Sequence, residues 1–191
     1  MATSTSPIFL LSSALLLAAA AYFFHRDAGD SFRAVVTTHL HFYMHDEYTG
    51  PRPTAALIVA GRPTANATAA CGGSAAETER RFGDIAVMNN ALTEGPERGS
   101  ARVGTAQGFT VRVAERGAVN DLSLHLVMEA GEYGGSSLAV KGRVDTDTAV
   151  RESVIVGGTG RFRFARGYAL SRSYDYNLDK GGVVEIDVYL H

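Results

Sequence analysis

A period-two alternation of apolar and polar residues most constrains the fold of this chain. In the stretch "TTHLHFYMHD" (37–46), Leu40, Phe42 and Met44 share one face, and histidine and tyrosine side chains fall between them. The stretch "VVEIDVYL" (183–190) repeats the alternation near the end of the chain. This pattern is typical of a strand with one buried and one solvated face. The sequence therefore predicts β-strands near both ends of the domain.

Between these stretches, further β-rich runs are separated by short segments such as "TEGPERG" and "GEYGG". Their Gly, Pro, Asn and Asp residues favour tight turns, and no run keeps a helical period for three turns. The segment Ala60–Arg81 is small and polar, which predicts a long surface loop. We therefore predict an all-β domain, either a sandwich or a closed barrel, and closure would leave no unpaired edge strand.

The first part of the chain is a long apolar run rather than an alternating segment. Residues 7–24, "PIFLLSSALLLAAAAYFF", carry no charge. We predict a cleaved signal peptide over residues 1–28 and a folded domain over residues 29–191, so that the mature protein is secreted and free of the membrane. An uncleaved membrane anchor is the alternative, because the run approaches the length of about 18 residues at which a spanning helix becomes a candidate.

Two positions bear on the compartment. Asn66, in "NAT", is a glycosylation acceptor if the chain enters the secretory route. Cys71 is the only cysteine, so the chain forms no internal disulfide and its fold depends on its core.

The charge balance limits the partners. The chain has 18 basic and 20 acidic residues and a formal net charge of −2. The chain has no excess of positive charge that would attract nucleic acid or an anionic membrane surface, and we expect neither as a partner.

The stretch "VGGTGRFRFARGYA" (156–169) combines glycines, arginines and aromatic residues. We interpret it as a glycine turn followed by a strand, with Phe162 and Phe164 on one face and Arg161 and Arg163 on the other. The alternation then lapses in "FARGYA", as if both faces of the chain were covered there.

Several long motifs together resemble the plant dirigent proteins. They are "HFYMHDEYTGPRPTA" from His41, "FGDIAVMNNALTEGP" from Phe82, "AQGF" from Ala106, "GEYGGSSLAVKGR" from Gly131 and "VRESVIVGGTGRFRFARGYA" from Val150. They run in the order that the family has and span nearly the whole domain.

The resemblance implies an eight-stranded antiparallel closed β-barrel with long surface loops, secreted to the cell wall space and commonly assembled as a trimer; a dimer is the other oligomer considered. It implies a cavity for phenolic radicals and no cofactor. A separate oxidase or peroxidase would make phenoxy radicals, such as those of coniferyl alcohol, and the protein would fix the faces that couple into a lignan.

The resemblance also carries functional residues onto this chain. Asp46, in "MHDEYTG", matches the family's first pocket aspartate, and Arg151, in "AVRES", matches an arginine beside the pocket. Asp46 would serve as acid or hydrogen-bond anchor, and Arg151 would set the field around it. Phe109, Phe164 and Tyr168 are expected to be walls of the substrate pocket from their positions in the motifs.

Other positions depart from the family pattern. The second pocket aspartate falls on Val144 here, and Asp145, one residue away, is its possible replacement. The usual aspartate pair after "FG" is Asn89 and Asn90, whose amides can hydrogen-bond but cannot act as acids. The usual tyrosine after "AQGF" is Thr110. These departures indicate a branch of the family with a different substrate.

Three functions stay open at this point. The first is a stereo-directing protein without oxidative activity of its own, which guides the coupling of phenolic radicals. The second is a cofactor-free dehydratase or isomerase that acts on a phenol or quinone methide, with the same aspartate as general acid. The third is a binding protein associated with cell-wall carbohydrate.

A metal site is the remaining candidate. His39, His41 and His45 fall on one strand face, and three imidazoles are a possible ligand set. Tetrahedral sites usually draw ligands from more than one segment, and no cysteine or further histidine lies nearby in the sequence. We therefore expect no metal at these histidines.

Overall fold

The computed structural model describes Tyr22 and residues 37–62, 81–116, 118–177 and 180–191. Of the predicted signal peptide, only Tyr22 is among the described residues. The glycosylation acceptor Asn66 and the cysteine Cys71 lie outside them. Among the residues described, no helix is both long and apolar enough to cross a bilayer.

The alternating segments form nine strands within the described residues. All neighbouring strands pair antiparallel, and the short turns predicted from glycine and proline connect most of them. In chain order they are β1 (Thr38–Glu47), β2 (Ala55–Val59), β3 (Ile85–Thr93), β4 (Arg102–Arg112), β5 (Val119–Met128), β6 (Ser137–Asp145), β7 (Arg151–Thr159), β8 (Gly167–Asn177) and β9 (Gly181–Leu190).

Eight of these strands close into a ring. The order is β1-β9-β8-β7-β6-β5-β4-β3, and β1 also pairs with β3 through residues 43–45 and 91–93. The short strand β2 pairs with the other half of the same β3 edge, through residues 55–59. The predicted eight-stranded antiparallel closed barrel is therefore confirmed, and the alternative of an open sandwich is wrong.

One end of the barrel is a solid apolar core. Phe42, Leu126, Leu138 and Val188 are each at most 4% exposed, and they come from four strands and belong to one core cluster. Burial of such side chains stabilises a domain by about 1.5–3 kcal/mol each. The cavity described below lies toward the other end, where polar side chains join the apolar ones at the inward positions.

The glycine-rich stretch forms a connection that the alternation did not predict. Residues 160–162 form a 3-10 turn that buries Phe162, which stacks on Tyr133 with ring centroids 4.8 Å apart. A Cβ on Gly158 would lie 2.6 Å from the Cβ of Phe162, so this packing requires glycine. Phe164 has φ +68° and is 88% exposed. The prediction that Phe162 and Phe164 share a strand face is wrong, because the chain turns between them.

A bulge in β8 changes which residues face inward. The pairing with β9 shifts register between Ser173 and Asp175, so Tyr174 is an extra residue on its strand. Such a bulge reverses the facing of the residues beyond it. Tyr174 is therefore 57% exposed, whereas Tyr176 packs against the core cluster and lines the cavity.

Candidate functional site

A cavity of about 850 Å³ occupies one end of the barrel. This volume lies within the range of small-molecule sites, which are mostly apolar with a few polar groups. Its apolar walls include inward-facing side chains of six strands, namely Met44, Met88, Leu122, Leu124, Leu126, Val140, Val144, Ala169, Val184 and Ile186. Its polar lining includes Asp46, Tyr48, Asp84, Thr110, Arg112, Asn120, Arg151, Ser153, Ser171, Ser173 and Tyr176.

Asp46 lies near the end of β1, two residues after the apolar inward position Met44, and it is 5% exposed. The side-chain amide of Asn90 donates to its Oδ1 at 3.2 Å. The hydroxyl of Tyr176 donates to its Oδ2 at 2.6 Å. Each carboxylate oxygen thus accepts one bond from the wall and keeps a second lone pair for a ligand.

Tyr176 links Asp46 to a second tyrosine. Its hydroxyl also forms a short contact with the hydroxyl of Tyr48. Burial, followed by the negative charge of Asp46, raises the pKa of Tyr176 well above its ordinary value. The phenol therefore stays protonated and acts as a hydrogen-bond donor to the carboxyl group.

Asn90 supports Asp46 from β3. It is completely buried, and among the residues that the structure describes no group forms a hydrogen bond with its Oδ1. Because an amide offers a donor at one atom and an acceptor at the other, a flip of Asn90 would let it accept from a protonated Asp46. Asn90 can therefore form a hydrogen bond with the carboxyl group whether that group is protonated or not. An aspartate at this position would add a second negative charge.

Arg151 enters the cavity from β7 and is 7% exposed. Its guanidinium donates to Ser173 Oγ at 3.2 Å, to the Thr148 carbonyl at 3.4 Å and to Ser171 Oγ at 3.5 Å. Across the described ranges, no carboxylate lies within ion-pair distance of it. Desolvation lowers the pKa of Arg151, and the nearby Tyr176 partly opposes this shift. A buried cation therefore faces the cavity with only neutral partners.

Asp84 is the other acidic side chain among the described residues of the wall. Its Oδ1 accepts from the backbone N–H of Gly61 at 2.7 Å, and its Oδ2 accepts from the backbone N–H of Arg81 at 2.5 Å. The two oxygens thus bind the backbone at the two ends of the Ala60–Arg81 segment. This leaves Asp46 as the carboxyl group better placed for proton transfer.

The structure brings two predicted site residues together and leaves out a third. Asp46 and Arg151 both line the cavity. Asp145 does not: it lies at the end of β6, where its Oδ1 accepts from the Asp147 N–H at 3.1 Å within the turn. Val144 occupies the inward position beside it, so Asp145 does not replace the missing second acid.

The three expected wall residues lie outside the cavity. Phe109 is 43% exposed on the outer face of β4, because Thr110 takes the inward position. Phe164 is exposed beyond the 3-10 turn. Tyr168 stacks on Tyr189 on the outer face, with ring centroids 4.9 Å apart. The expectation that they form the wall was wrong, since motif position did not determine strand facing.

The comparisons with known proteins agree with this architecture. A family profile described as dirigent-like protein matches residues 37–191. Dirigent protein 1 of Arabidopsis thaliana is 43% identical over 154 residues, which cover 80% of this chain and 78% of that protein. Pterocarpan synthase 1 of Glycine max is 38% identical over 162 residues, covering 84% and 81%.

A solved structure shows the same likeness. The pterocarpan synthase dirigent protein GePTS1 superimposes with a TM-score of 0.69 at 37% identity, over 80% of this chain and 83% of that one. The barrel, the motif order and these matches lead to one conclusion. The chain belongs to the dirigent protein family.

Proposed function

We propose that the cavity holds a phenolic substrate and that Asp46 transfers protons to and from it, as a cofactor-free dehydratase that closes a ring. The observation that carries this proposal is the buried Asp46 carboxyl, held by Tyr176 and Asn90 in the wall of an apolar cavity. A carboxyl fixed by neutral donors in such a place is suited to general acid–base work. The relatives named pterocarpan synthases support this direction.

The proposed step balances without an oxidant. The substrate binds as a phenolate and carries a benzylic hydroxyl ortho or para to the phenolate oxygen. Asp46 donates a proton to this hydroxyl, the C–O bond breaks with release of water, and the phenolate oxygen becomes the carbonyl of a quinone methide. A second hydroxyl of the substrate then adds to the benzylic carbon and returns its proton to Asp46. The net change is the loss of one water and the formation of one ether bond.

Arg151 supplies the complementary charge. A nearby cation favours ionisation of the phenol. When the second hydroxyl adds to the quinone methide, negative charge returns to the phenolic oxygen, and the cation stabilises this developing charge. Arg151 is buried with serine hydroxyls and a backbone carbonyl as its partners, so its charge is not neutralised within the described wall. We assign to it the stabilisation of negative charge on the phenol oxygen.

The small number of carboxyl groups available in the cavity wall favours dehydration over radical coupling. A bis-quinone methide has two carbonyl groups that each need a proton donor. Here Val144 occupies the position of the family's second aspartate, and the buried neighbour of Asp46 is the amide of Asn90. One free carboxyl group suits a substrate that needs one proton at a time.

The test uses a panel of phenols with a benzylic hydroxyl and a second hydroxyl in reach, incubated with the purified protein and no oxidant. We expect ring closure with loss of water, and a decrease of about 10²-fold or more in kcat for Asp46→Asn. Asp145→Asn is the matched control, since Asp145 lies in a turn outside the cavity. Full activity of Asp46→Asn, or no turnover across the panel, would contradict the proposal.

Stereoselective coupling of phenoxy radicals is the second candidate function. The cavity volume of about 850 Å³ favours it, because it leaves room for more than one aromatic ring. Two neutral radicals couple with little barrier, so the protein would contribute orientation rather than chemistry. Coniferyl alcohol with a one-electron oxidant tests this function: a racemic product, the same as with the oxidant alone, would exclude it.

The expected location, oligomeric state and partners of the protein also remain proposals. We propose that the protein is secreted to the cell wall space, that it assembles as a trimer, and that any coupling activity depends on a separate oxidase or peroxidase. A carbohydrate-associated role without chemistry is the outcome if both assays fail and cell-wall polysaccharide is bound instead.

A further inference from the structure

The hydroxyl of Tyr48 extends the hydrogen-bonded group around Asp46 by one residue. Tyr48 follows β1 directly and lines the cavity. Its hydroxyl contacts the hydroxyl of Tyr176, which in turn donates to Asp46 Oδ2 at 2.6 Å. The three side chains come from two separate parts of the sequence. They form an unbroken line of hydrogen-bonded oxygen atoms along the cavity wall.

Tyr48 is held in this place by its backbone and by its ring. Its backbone N–H donates to the Lys180 carbonyl at 3.1 Å, between β8 and β9. Its ring packs edge-on against the ring of Tyr176, with centroids 6.3 Å apart and an interplanar angle of 75°. Tyr48 is half-buried, whereas Asp46 at the other end of the line is 5% exposed. The line therefore joins a buried carboxyl group to a more exposed phenol.

The proposed ring closure involves two different oxygen atoms at one benzylic carbon. One oxygen leaves as water after Asp46 has protonated it, and the second hydroxyl of the substrate then attacks the same carbon. While the released water still lies beside Asp46, the attacking hydroxyl has to approach the carbon from another position. A proton acceptor at a second place in the wall, connected to Asp46, would let the attacking hydroxyl lose its proton there.

We propose that Tyr48 takes the proton of the attacking hydroxyl and that Tyr176 passes a proton on to Asp46, a role that rests on the dehydratase function proposed above. The proton of the substrate hydroxyl moves to the oxygen of Tyr48. In the same step the Tyr48 proton moves to the oxygen of Tyr176, and the Tyr176 proton moves to Asp46 Oδ2. The attacking oxygen forms the C–O bond with a lone pair and keeps the electrons of its former O–H bond. The negative charge of Asp46 is thereby replaced by one on the phenolic oxygen of the product.

The three proton transfers have to occur together. Burial and the negative charge of Asp46 raise the pKa of Tyr176 far above its ordinary value, so a Tyr176 phenolate is not a separate intermediate. A tyrosine hydroxyl donates one hydrogen bond and accepts another, so each can receive one proton while it releases its own. The step reverses the direction of both hydrogen bonds in the line. Rotation of the carboxyl group and of the two hydroxyls restores the first arrangement between turnovers.

The experiment incubates the phenol panel of the proposed function with the protein in oxygen-18-labelled water. Water that adds back to the quinone methide labels the recovered substrate, and this reversal needs Asp46 but not Tyr48. For Tyr48→Phe we expect the ratio of ring-closed product to labelled substrate to fall about tenfold or more, while label still enters the substrate. Tyr176→Phe interrupts the same line and should also lower the ratio. Tyr174→Phe, on the outer face, is the matched control and should keep the wild-type ratio.

The possible results distinguish the role of Tyr48 from the function itself. Wild-type protein that yields neither product nor labelled substrate would overturn the dehydratase function, and the role of Tyr48 with it. Turnover by the wild type together with an unchanged ratio in Tyr48→Phe would overturn the role of Tyr48 alone. An equal loss of product and label in Tyr48→Phe also leaves the ratio unchanged, and it would mean that the tyrosine only supports the pocket. Thermal unfolding of each variant shows whether the barrel is retained.

Discussion

Replacement of Arg151 by methionine should stabilise the protein and inactivate it. Arg151 is 7% exposed, and its three hydrogen bonds, at 3.2, 3.4 and 3.5 Å, reach only neutral acceptors. Such bonds contribute about 0.5–1.5 kcal/mol each at good geometry and less at these lengths. Replacing a buried ion pair by apolar side chains of similar volume is often neutral or stabilising by about 1–4 kcal/mol, and a lone buried cation has the same desolvation cost without the attraction of a partner.

From these terms we expect the free energy of unfolding of Arg151→Met to rise by about 1–2 kcal/mol. For a domain of this size, the midpoint of thermal unfolding should rise by about 2–8 °C. The loss of the cation that stabilises charge on the substrate should lower kcat by about 10²–10³-fold. Thermal unfolding by calorimetry and the oxidant-free turnover assay measure the two effects on the same preparation.

Arg161→Met is the matched control. Arg161 pairs with Glu132 at 3.3 Å, and both side chains are 62% exposed, so this pair contributes little. Stability and kcat should both stay close to wild type. An Arg151→Met protein that is destabilised by more than about 1 kcal/mol while keeping full activity would refute the argument, because the arginine would then be a structural group.

Three further predictions concern other parts of the barrel. Tyr176→Phe removes a donor to a carboxyl group and should lower kcat about tenfold or more with the fold intact, while Tyr174→Phe on the outer face should have no effect. Gly181→Ala should lower the free energy of unfolding by about 1–3 kcal/mol in a urea titration, because φ is +92° and a Cβ would lie 2.1 Å from a backbone oxygen; Gly157→Ala meets nothing and serves as its control. Burial is the main cause that lowers the pKa of His45 below 6.5, so the unfolded chain binds this proton more readily and stability falls as the pH drops through 6.5. His45→Gln should therefore flatten this loss in thermal unfolding curves recorded at neutral and acidic pH.

The fold could be predicted because its signals are local. Alternation assigns one face of each strand to the interior, and glycine and proline mark the turns between strands. Period two alone left a sandwich and a closed barrel open. Closure depends on the pairing of Tyr43 with Thr93 across 50 positions of sequence, which no local pattern contains.

The candidate site could be predicted only in part. Asp46 and Arg151 were found because each lies within a long family motif, and both line the cavity. Tyr176 was missed because the bulge at Tyr174 reverses the strand facing just before it. Phe109 was assigned to the wall because motif position says which strand a residue is on and not which way it points.

The sequence by itself determined the strands, the turns, the family and the presence of one acid and one arginine in its pocket motifs. These follow from short-range patterns and from residues that keep their neighbours along the chain. Only the tertiary structure decided that Tyr176 and Asn90 hold Asp46, that Arg151 lacks a carboxylate partner among the described residues, and that Asp187 meets two histidines. Each of these contacts joins side chains from different strands, and their distances depend on barrel closure, register and bulges rather than on the identity of any one segment.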